Sequence, residues 1–254
     1  MPNIDNKPYF GCAIMLSKLQ KAIQLETHPV AVLWSDQFPS DAITPGKGHP
    51  DKCLVTLASR AAYDGEIAAV GRDNYGCGGA GYHLGFAGLP SPHFRYFLSC
   101  GIPGKVRGEG YKKTPELVDV WVDNSKPLPA PADYCIMKPL NLLSEEDEPE
   151  SVFFLVNPDQ LSALIVLANY DLPGNDGVIA PFGSGCDGII LYPRIERMGR
   201  KRGIVALTDI SVRSILPAGI LGFAVPFERA LKMEENVPGS FLEREDWLEV
   251  SNRL

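Results

Sequence analysis

The sequence lacks the segments that mark a membrane or secreted protein. No apolar run approaches the roughly 20 residues that a helix needs to cross a bilayer. The first residues, Met1-Pro2-Asn3-Ile4-Asp5-Asn6, contain no basic region followed by an apolar stretch. Basic residues are also scarce, because 24 Lys and Arg stand against 31 Asp and Glu, for a net charge of −7. We therefore expect a cytoplasmic protein whose partners are neither membranes nor nucleic acids.

The chain also lacks a C-x-x-C pair, although it contains six cysteines. An even count is compatible with three disulfides. We expect none, because 254 residues can build a large core unaided and no secretory signal is visible. Thiols in a reducing compartment are core residues, metal ligands or nucleophiles, and we expect two or three of the six to be core. The cysteines are Cys12, Cys53, Cys77, Cys100, Cys135 and Cys186.

Predicted strands and helices alternate along the chain, which indicates an α/β or α+β fold with a mixed sheet flanked by helices. We treat residues 1–254 as one large domain, with a possible seam between two sub-halves at the acidic segment 144–150. The basic residues between 194 and 202 are interpreted as a solvated turn. The predicted strands are Pro29–Trp34, Glu66–Val70, Tyr134–Leu140, Val152–Val156, Gly203–Leu207 and Leu221–Val225. The main predicted helices are Cys12–Ile23, Leu54–Tyr63, one that starts at Thr114–Leu117, one that starts at Asn157, Phe227–Glu235 and Phe241–Asn252.

Two glycine-rich loops each carry a cysteine, and they are the features that point most directly at chemistry. The first is Gly76-Cys77-Gly78-Gly79-Ala80-Gly81 and the second is Gly183-Ser184-Gly185-Cys186-Asp187-Gly188. Glycine lets backbone N–H groups approach a ligand closely, so we predict that these loops bind a cofactor. The predicted cofactor-binding positions are Gly76, Gly78, Gly79, Gly183 and Gly185.

Both loops formally contain the G-x-G-x-x-G pattern of dinucleotide-binding folds, but their surroundings disfavour that function. A dinucleotide site needs an acidic residue about 20 positions further on to bind the ribose. Glu109 follows the first loop too late, and Glu196 follows the second too early. A P-loop is excluded more firmly, because no Gly-Lys pair is followed by Ser or Thr.

A metal centre fits these cysteines better. Iron–sulfur clusters are held by cysteine thiolates and tuned by nearby N–H groups, which a glycine loop supplies. Cys77 and Cys186 are the first predicted ligands. Cys53 is the third, because it stands at a predicted helix N-terminus, where the helix dipole favours a thiolate. A 4Fe-4S cluster is preferred, with one iron left open for electron transfer or Lewis-acid catalysis. Zinc, with a histidine as fourth ligand, is the second choice.

Three further residues are predicted to contact a small anionic ligand in the same pocket. His83 follows Cys77 by six positions and could serve as ligand or acid, or be a partly buried helix residue. Asp209 and Arg213 follow a predicted strand, and strand ends in such folds commonly bind ligands. Asp209 could instead cap a short helix, and Arg213 could pair with it.

Two other functions remain open at this stage. The first is a metal-free protein that binds a small anion or cofactor through its glycine loops, with inert thiols. The second is a thiol-dependent enzyme in which Cys77 is the nucleophile and His83 the base. Whether catalysis occurs stays open, and so does the expectation of a redox partner or a homo-oligomer.

Several short motifs make the chain resemble domain-of-unknown-function family 169, over nearly its whole length. They are Pro29–Val32, Cys53 through Gly65-Glu66, Cys77-Gly78-Gly79 with Leu84-Gly85, Cys186, Thr208-Asp209 with Ser211 and Arg213, Val225-Pro226-Phe227 and Trp247. The resemblance implies one family unit and strengthens the interest in Cys53, Cys77 and Cys186. The family is found across archaea and anaerobic bacteria. An anaerobic habitat favours oxygen-sensitive iron–sulfur chemistry. The resemblance implies no substrate.

Overall fold

The structure, a computed structural model, describes residues 15–254. The predicted helix Cys12–Ile23 therefore begins outside the described residues, and its described part contains α1, Ser17–Ala22. The other helices are α2 Leu54–Asp64, α3 Gly78–His83, α4 Phe94–Phe97, α5 Pro115–Asn124, α6 Pro158–Leu167, α7 Tyr192–Met198, α8 Phe227–Glu235 and α9 Glu245–Ser251. The strands are β1 Val30–Ser35, β2 Ala68–Gly71, β3 Tyr134–Pro139, β4 Ser151–Val156, β5 Val178–Ile179, β6 Gly203–Ala206 and β7 Leu221–Pro226.

The seven strands form one mixed sheet in the order β2-β3-β1-β4-β7-β6-β5. All neighbouring strands pair antiparallel except β5 and β6, which are parallel. The predicted mixed sheet flanked by helices is thus confirmed, and its largely antiparallel pairing makes the fold α+β. β5 was not predicted, because two residues are too few to show a periodic pattern.

Alternating side chains divide the core between the two faces of the sheet, as the period of a strand requires. In β4, Phe154 packs with α1, α6, α8 and α9 on one face. Its neighbour Phe153 packs on the other face with α2 and with the helical residues Ile189 and Ile190. A smaller cluster of Phe94, Leu98 and Val118 joins α4 to α5.

The acidic segment 144–150 lies between β3 and β4, and both of these strands pair with β1. One sheet therefore continues across it. Two of its acids are held in place rather than freely solvated. Asp147 accepts a hydrogen bond from Lys138 at 2.8 Å. Glu150 accepts one from the Trp34 indole at 2.9 Å.

Capping explains where several helices begin. Asn157 and Gln160 form a reciprocal capping box at the start of α6, and Pro158 occupies its first turn. The helix start predicted at Thr114–Leu117 is confirmed, and the Thr114 side chain caps α5 by accepting the Leu117 N–H. The predicted helix Phe241–Asn252 is instead a 3-10 turn, Phe241–Glu243, followed by α9.

The interpretation of the basic run as a solvated turn was wrong for its first part. Residues 194 and 197 lie within α7, which continues a π-helical stretch, Asp187–Leu191. Arg194 and Arg197 both contact Glu150, and Arg202 pairs with the buried Glu196. None of the helices described between residues 15 and 254 combines the length and apolar character needed to cross a membrane.

Candidate functional site

A cavity of about 360 Å³ lies beside the N-terminal turns of three helical segments, on the face of the sheet that carries α2. We call it the thiol cavity. Its polar lining residues are Cys53, Cys77, His83, Glu109, Ser184, Cys186, Asp209 and Ser211, together with Gly79, Gly183 and Gly185. Its apolar and aromatic lining residues are Val55, Phe94, Phe97, Leu98, Tyr111, Trp121, Phe182 and Val212.

The three predicted cysteine ligands all line the thiol cavity, and each stands in the first turn of a helical segment. Cys53 is the N-cap residue of α2. Cys77 is the N-cap residue of α3, and its sulfur accepts a hydrogen bond from the Ala80 N–H at 3.4 Å. Cys186 stands in the first turn of the helical segment that leads into α7. Three parts of the chain that are remote in sequence therefore bring thiols to one place.

Close backbone packing at two glycines holds these segments together. Gly76 has a positive φ of 76°, and a Cβ there would lie 2.2 Å from the carbonyl oxygen of Lys52, next to Cys53. A Cβ at Gly185 would lie 2.5 Å from a methyl group of Val55. Glycine is thus required at both positions, for its conformation at the first and for its small size at both. The two contacts place the cysteine loops against the start of α2.

The environment of Cys53 and Cys186 disfavours a negative charge on these two thiols when no cation is present. Burial raises the pKa of Cys53, and the nearby Cys77 raises it further, while backbone N–H groups of Val55 and Thr56 lower it in part. Burial also raises the pKa of Cys186 well above its usual value, and Cys77 and Cys53 add to this rise. Cys77 is therefore close enough to raise the pKa of both Cys53 and Cys186.

His83 forms a buried pair with an acid from the second glycine loop. Its Nδ1 lies 2.5 Å from an Asp187 carboxylate oxygen, and the side chains are 6% and 2% exposed. The other Asp187 oxygen accepts the Ser184 N–H at 2.8 Å, and the Ser184 hydroxyl accepts the Asp187 N–H at 3.3 Å. This reciprocal cap begins the helical segment and fixes the carboxylate that faces His83. Gly183 is needed here because a Cβ would lie 2.8 Å from Asp187.

Asp209 is buried at the cavity wall and caps a short 3-10 helix, Ile210–Val212. Ser211 donates its N–H to one carboxylate oxygen at 3.0 Å and its hydroxyl to the other at 2.8 Å. Tyr111 lies next to this carboxylate. Burial raises the pKa of Tyr111, and the charge of Asp209 raises it further.

Some predicted site residues lie apart from the thiol cavity. The Arg213 guanidinium donates to the carbonyl oxygens of Leu207 and Ile220, at 3.3 and 2.5 Å, and so ties a loop to the start of β7. Arg213 does not line the cavity, and neither do Gly76 and Gly78. Gly78 packs against Pro90, where a Cβ would lie 2.6 Å from its ring. These glycines shape the loop rather than face the cavity.

One side of the thiol cavity is aromatic, and this side was not predicted from the sequence. Phe94, Tyr111, Trp121 and Phe182 form a continuous row of rings, which we call the aromatic wall. The ring centroids of Tyr111 and Phe182 are 5.5 Å apart, and those of Trp121 and Phe182 are 5.9 Å apart. Four single aromatic residues spread along the chain carry no motif that could have revealed this wall.

The family model described as "Uncharacterised ArCR", DUF169, matches residues 18–236, which is most of the chain. The protein belongs to the DUF169 family. No curated protein and no solved structure shows a significant match. The matched residues include every cysteine of the thiol cavity, so the site belongs to the part of this DUF169 protein that the family model covers.

The arrangement of possible ligand atoms in this DUF169 protein suits the two predicted cofactors differently. Among residues 15–254, no three or more His, Cys, Asp and Glu side chains are arranged to hold a single metal ion. Zinc would need such a set, since its thiolate ligands lie about 2.3 Å from the ion. A four-iron cluster is larger than one ion and holds its thiolates farther apart. Three thiols that share a cavity, with N–H donors beside them, fit that chemistry.

Proposed function

We propose that this DUF169 protein binds an iron–sulfur cluster, preferably 4Fe-4S, through Cys53, Cys77 and Cys186. The observation that carries the proposal is that these three thiols, from three separate segments, line one cavity.

Electrostatics support a positively charged occupant. Cys77 raises the pKa of Cys53, and Cys77 and Cys53 both raise the pKa of Cys186, so the site resists holding these thiolates without a cation. A bound metal reverses this preference, because its positive charge stabilises the thiolates. The Ala80 N–H, and those of Val55 and Thr56, are directed at the sulfurs of Cys77 and Cys53 and would stabilise the anionic form further.

The other residues of the thiol cavity would define what reaches this centre. Three cysteine ligands leave one coordination position for a small molecule, which gives electron transfer or Lewis-acid catalysis as the supplied chemistry. The aromatic wall would give that position apolar surroundings. The buried pair of His83 and Asp187 can hold a proton beside it. All five cysteines between residues 15 and 254 are free thiols, which accords with a reducing, cytoplasmic location. A cluster used for electron transfer would also need a redox partner there.

The decisive experiment is metal analysis of protein isolated without oxygen, with iron and acid-labile sulfide measured per chain. We expect a brown protein with a broad absorption band near 400 nm that is lost in air. The variants Cys53→Ser, Cys77→Ser and Cys186→Ser should each lose most of the iron. Cys100→Ser is the matched control, because Cys100 is exposed and lies outside the cavity lining.

Two results would contradict the proposal. Colourless protein that stays free of iron after reconstitution with iron and sulfide would exclude a cluster. Equal iron in the three cavity variants and in Cys100→Ser would show that iron is bound elsewhere.

The buried pair supports a second candidate, a thiol-dependent enzyme. Nucleophilic cysteines are activated by a histidine that a third group orients. Asp187 orients His83 in this way, and His83 lines the same cavity as Cys77. The two candidates respond differently to His83→Gln. A cluster held by three cysteines should keep its iron in this variant. A thiol enzyme would bind no iron, and His83→Gln would slow alkylation of Cys77 in the native protein.

A further inference from the structure

We propose that the thiol cavity admits a small organic cation with an apolar body, of the alkylammonium class, whose charge pairs with Asp209. This inference names the ligand of the same site and rests on the proposed function. It replaces the sequence-based expectation of an anionic ligand.

The aromatic wall supplies the first reason. Ring faces attract a cation through their quadrupole, most strongly where water is excluded. One ring already does this within the protein, since the Lys112 ammonium lies 5.1 Å from the Phe182 centroid. Tyr111 and Trp121 flank Phe182 and also line the cavity. The apolar part of a small ligand would pack against Phe97, Leu98 and Val212.

Charge supplies the second reason. Asp209 is 9% exposed and lines the cavity, and within residues 15–254 no basic side chain forms an ion pair with it. Burying a carboxylate without a counter-charge is costly, so a cation in the cavity would be stabilised by it. Glu109 adds a second carboxylate to the lining. All the lining residues are described, and none of them is Lys or Arg.

Hydrogen bonding and size limit the ligand further. Ser211 occupies both carboxylate oxygens of Asp209 from one side, which fixes their direction without neutralising them. The volume of about 360 Å³ is near the lower end of the range of ligand pockets. Arg213, the basic side chain that we expected to contact an anion, donates to two backbone carbonyl oxygens instead.

The test uses three probes of one shape that differ in charge. They are choline, the neutral alcohol dimethylbutanol in which carbon replaces the quaternary nitrogen, and the carboxylate dimethylbutanoate. Binding is measured by titration calorimetry on protein isolated without oxygen, and the iron content of the same sample is recorded. We expect choline to bind about tenfold or more tightly than the alcohol, and the carboxylate to bind weakest.

Variants connect the preference to Asp209. In Asp209→Asn, which can still accept the Ser211 N–H, the choline advantage should fall to about twofold while alcohol binding is unchanged. Asp246→Asn is the control, because Asp246 is exposed in α9 on the opposite face of the sheet. That variant should bind all three probes as the unmodified protein does.

The outcomes separate this inference from the iron–sulfur proposal. Protein that contains iron but binds none of the probes, or binds the alcohol or carboxylate as well as choline, overturns the cation inference alone. Iron-free protein that binds choline through Asp209 overturns the cluster alone. An unchanged choline advantage in Asp209→Asn also overturns the inference.

Discussion

Gly185 packs directly against Val55, and a single added carbon at Gly185 would lie 2.5 Å from a Val55 methyl group. The contact joins the loop that carries Cys186 to the first turn of α2, which Cys53 caps. Both residues line the thiol cavity. The separation of Cys53 and Cys186 is therefore set by the contact between Gly185 and Val55, two residues without reactive side chains.

Gly185→Ala should push the second loop away from α2 and lower the iron content of the protein. Overpacking of this kind costs about 1–3 kcal/mol of stability. The double variant Gly185→Ala with Val55→Ala removes the colliding methyl groups and should recover part of the iron. Iron per chain and urea unfolding of each variant measure the two effects.

The control for this pair is Gly88→Ala. Gly88 is exposed, and an added Cβ there meets nothing within 4 Å. It should keep both iron and stability. If Gly185→Ala holds as much iron as Gly88→Ala, the packing of Gly185 does not position Cys186.

Thiol reactivity should follow the environment of each cysteine once metal is removed. Burial and the neighbouring thiols raise the pKa of Cys186, so little thiolate exists at pH 8 and iodoacetamide should alkylate it slowly. The exposed Cys100 should react first. Mass spectrometry of the native protein over time gives the order of modification.

Cys135 is the internal reference, because it is fully buried in β3 outside the cavity and burial raises its pKa strongly. We expect it to react only after unfolding. Rapid alkylation of Cys186 before Cys100 would contradict this prediction, because it would show that the cavity activates the Cys186 thiol.

The His83 and Asp187 pair should contribute to stability as well as to the site. Asp187→Asn keeps an acceptor for the Ser184 N–H but removes the charge that faces His83. We expect a loss of about 1–3 kcal/mol in the free energy of unfolding. A double-mutant cycle with His83→Gln, followed by urea unfolding, isolates the contribution of the contact itself. Additive losses would mean that the two side chains do not interact.

The sequence revealed the sheet and the cysteines but not the shape of the site, for physical reasons. Alternating apolar residues predict strands such as β4 and β7, and a proline after Thr114 or Asn157 predicts a helix start. The role of Gly76 depends on the carbonyl of Lys52, a contact that no local pattern encodes. Arg213 follows a strand as a ligand-binding residue would, yet its donors are taken by carbonyl oxygens.

Helix α7 was missed for a related reason. Its arginines look like a solvated run when charge is counted, but Arg194 is fixed by Glu150 from the acidic segment. Arg202, just beyond the helix, is fixed by Glu196 at 2.5 Å. A charge pattern in sequence does not show which charges meet in space: Glu150 reaches Arg194 from the acidic segment, and Glu196 reaches Arg202 from within α7.

The pair of Asp171 and Arg229 gives the protein a defined response to acid, away from the thiol cavity. Arg229 donates to both carboxylate oxygens, at 3.0 and 2.5 Å, and to the Ala168 carbonyl. These hydrogen bonds lower the pKa of Asp171 to about 2. Because this pKa lies below the value in the unfolded chain, the pair stabilises the fold above about pH 4, and its contribution disappears as the pH falls toward 2.

Asp171→Asn should therefore be less stable than the unmodified protein at pH 7 and should approach it as the pH is lowered below 4. The side chain is 25% exposed, so we expect a difference of about 1–2 kcal/mol at neutral pH after solvent screening. Urea unfolding at several pH values from 3 to 7 measures it. Asp159→Asn is the matched control, because its partner Arg253 is 67% exposed and solvent screening should leave this pair a smaller contribution than that of Asp171 and Arg229. A difference for Asp171→Asn that stays constant down to pH 3 would mean that the charge of Asp171 does not stabilise the fold.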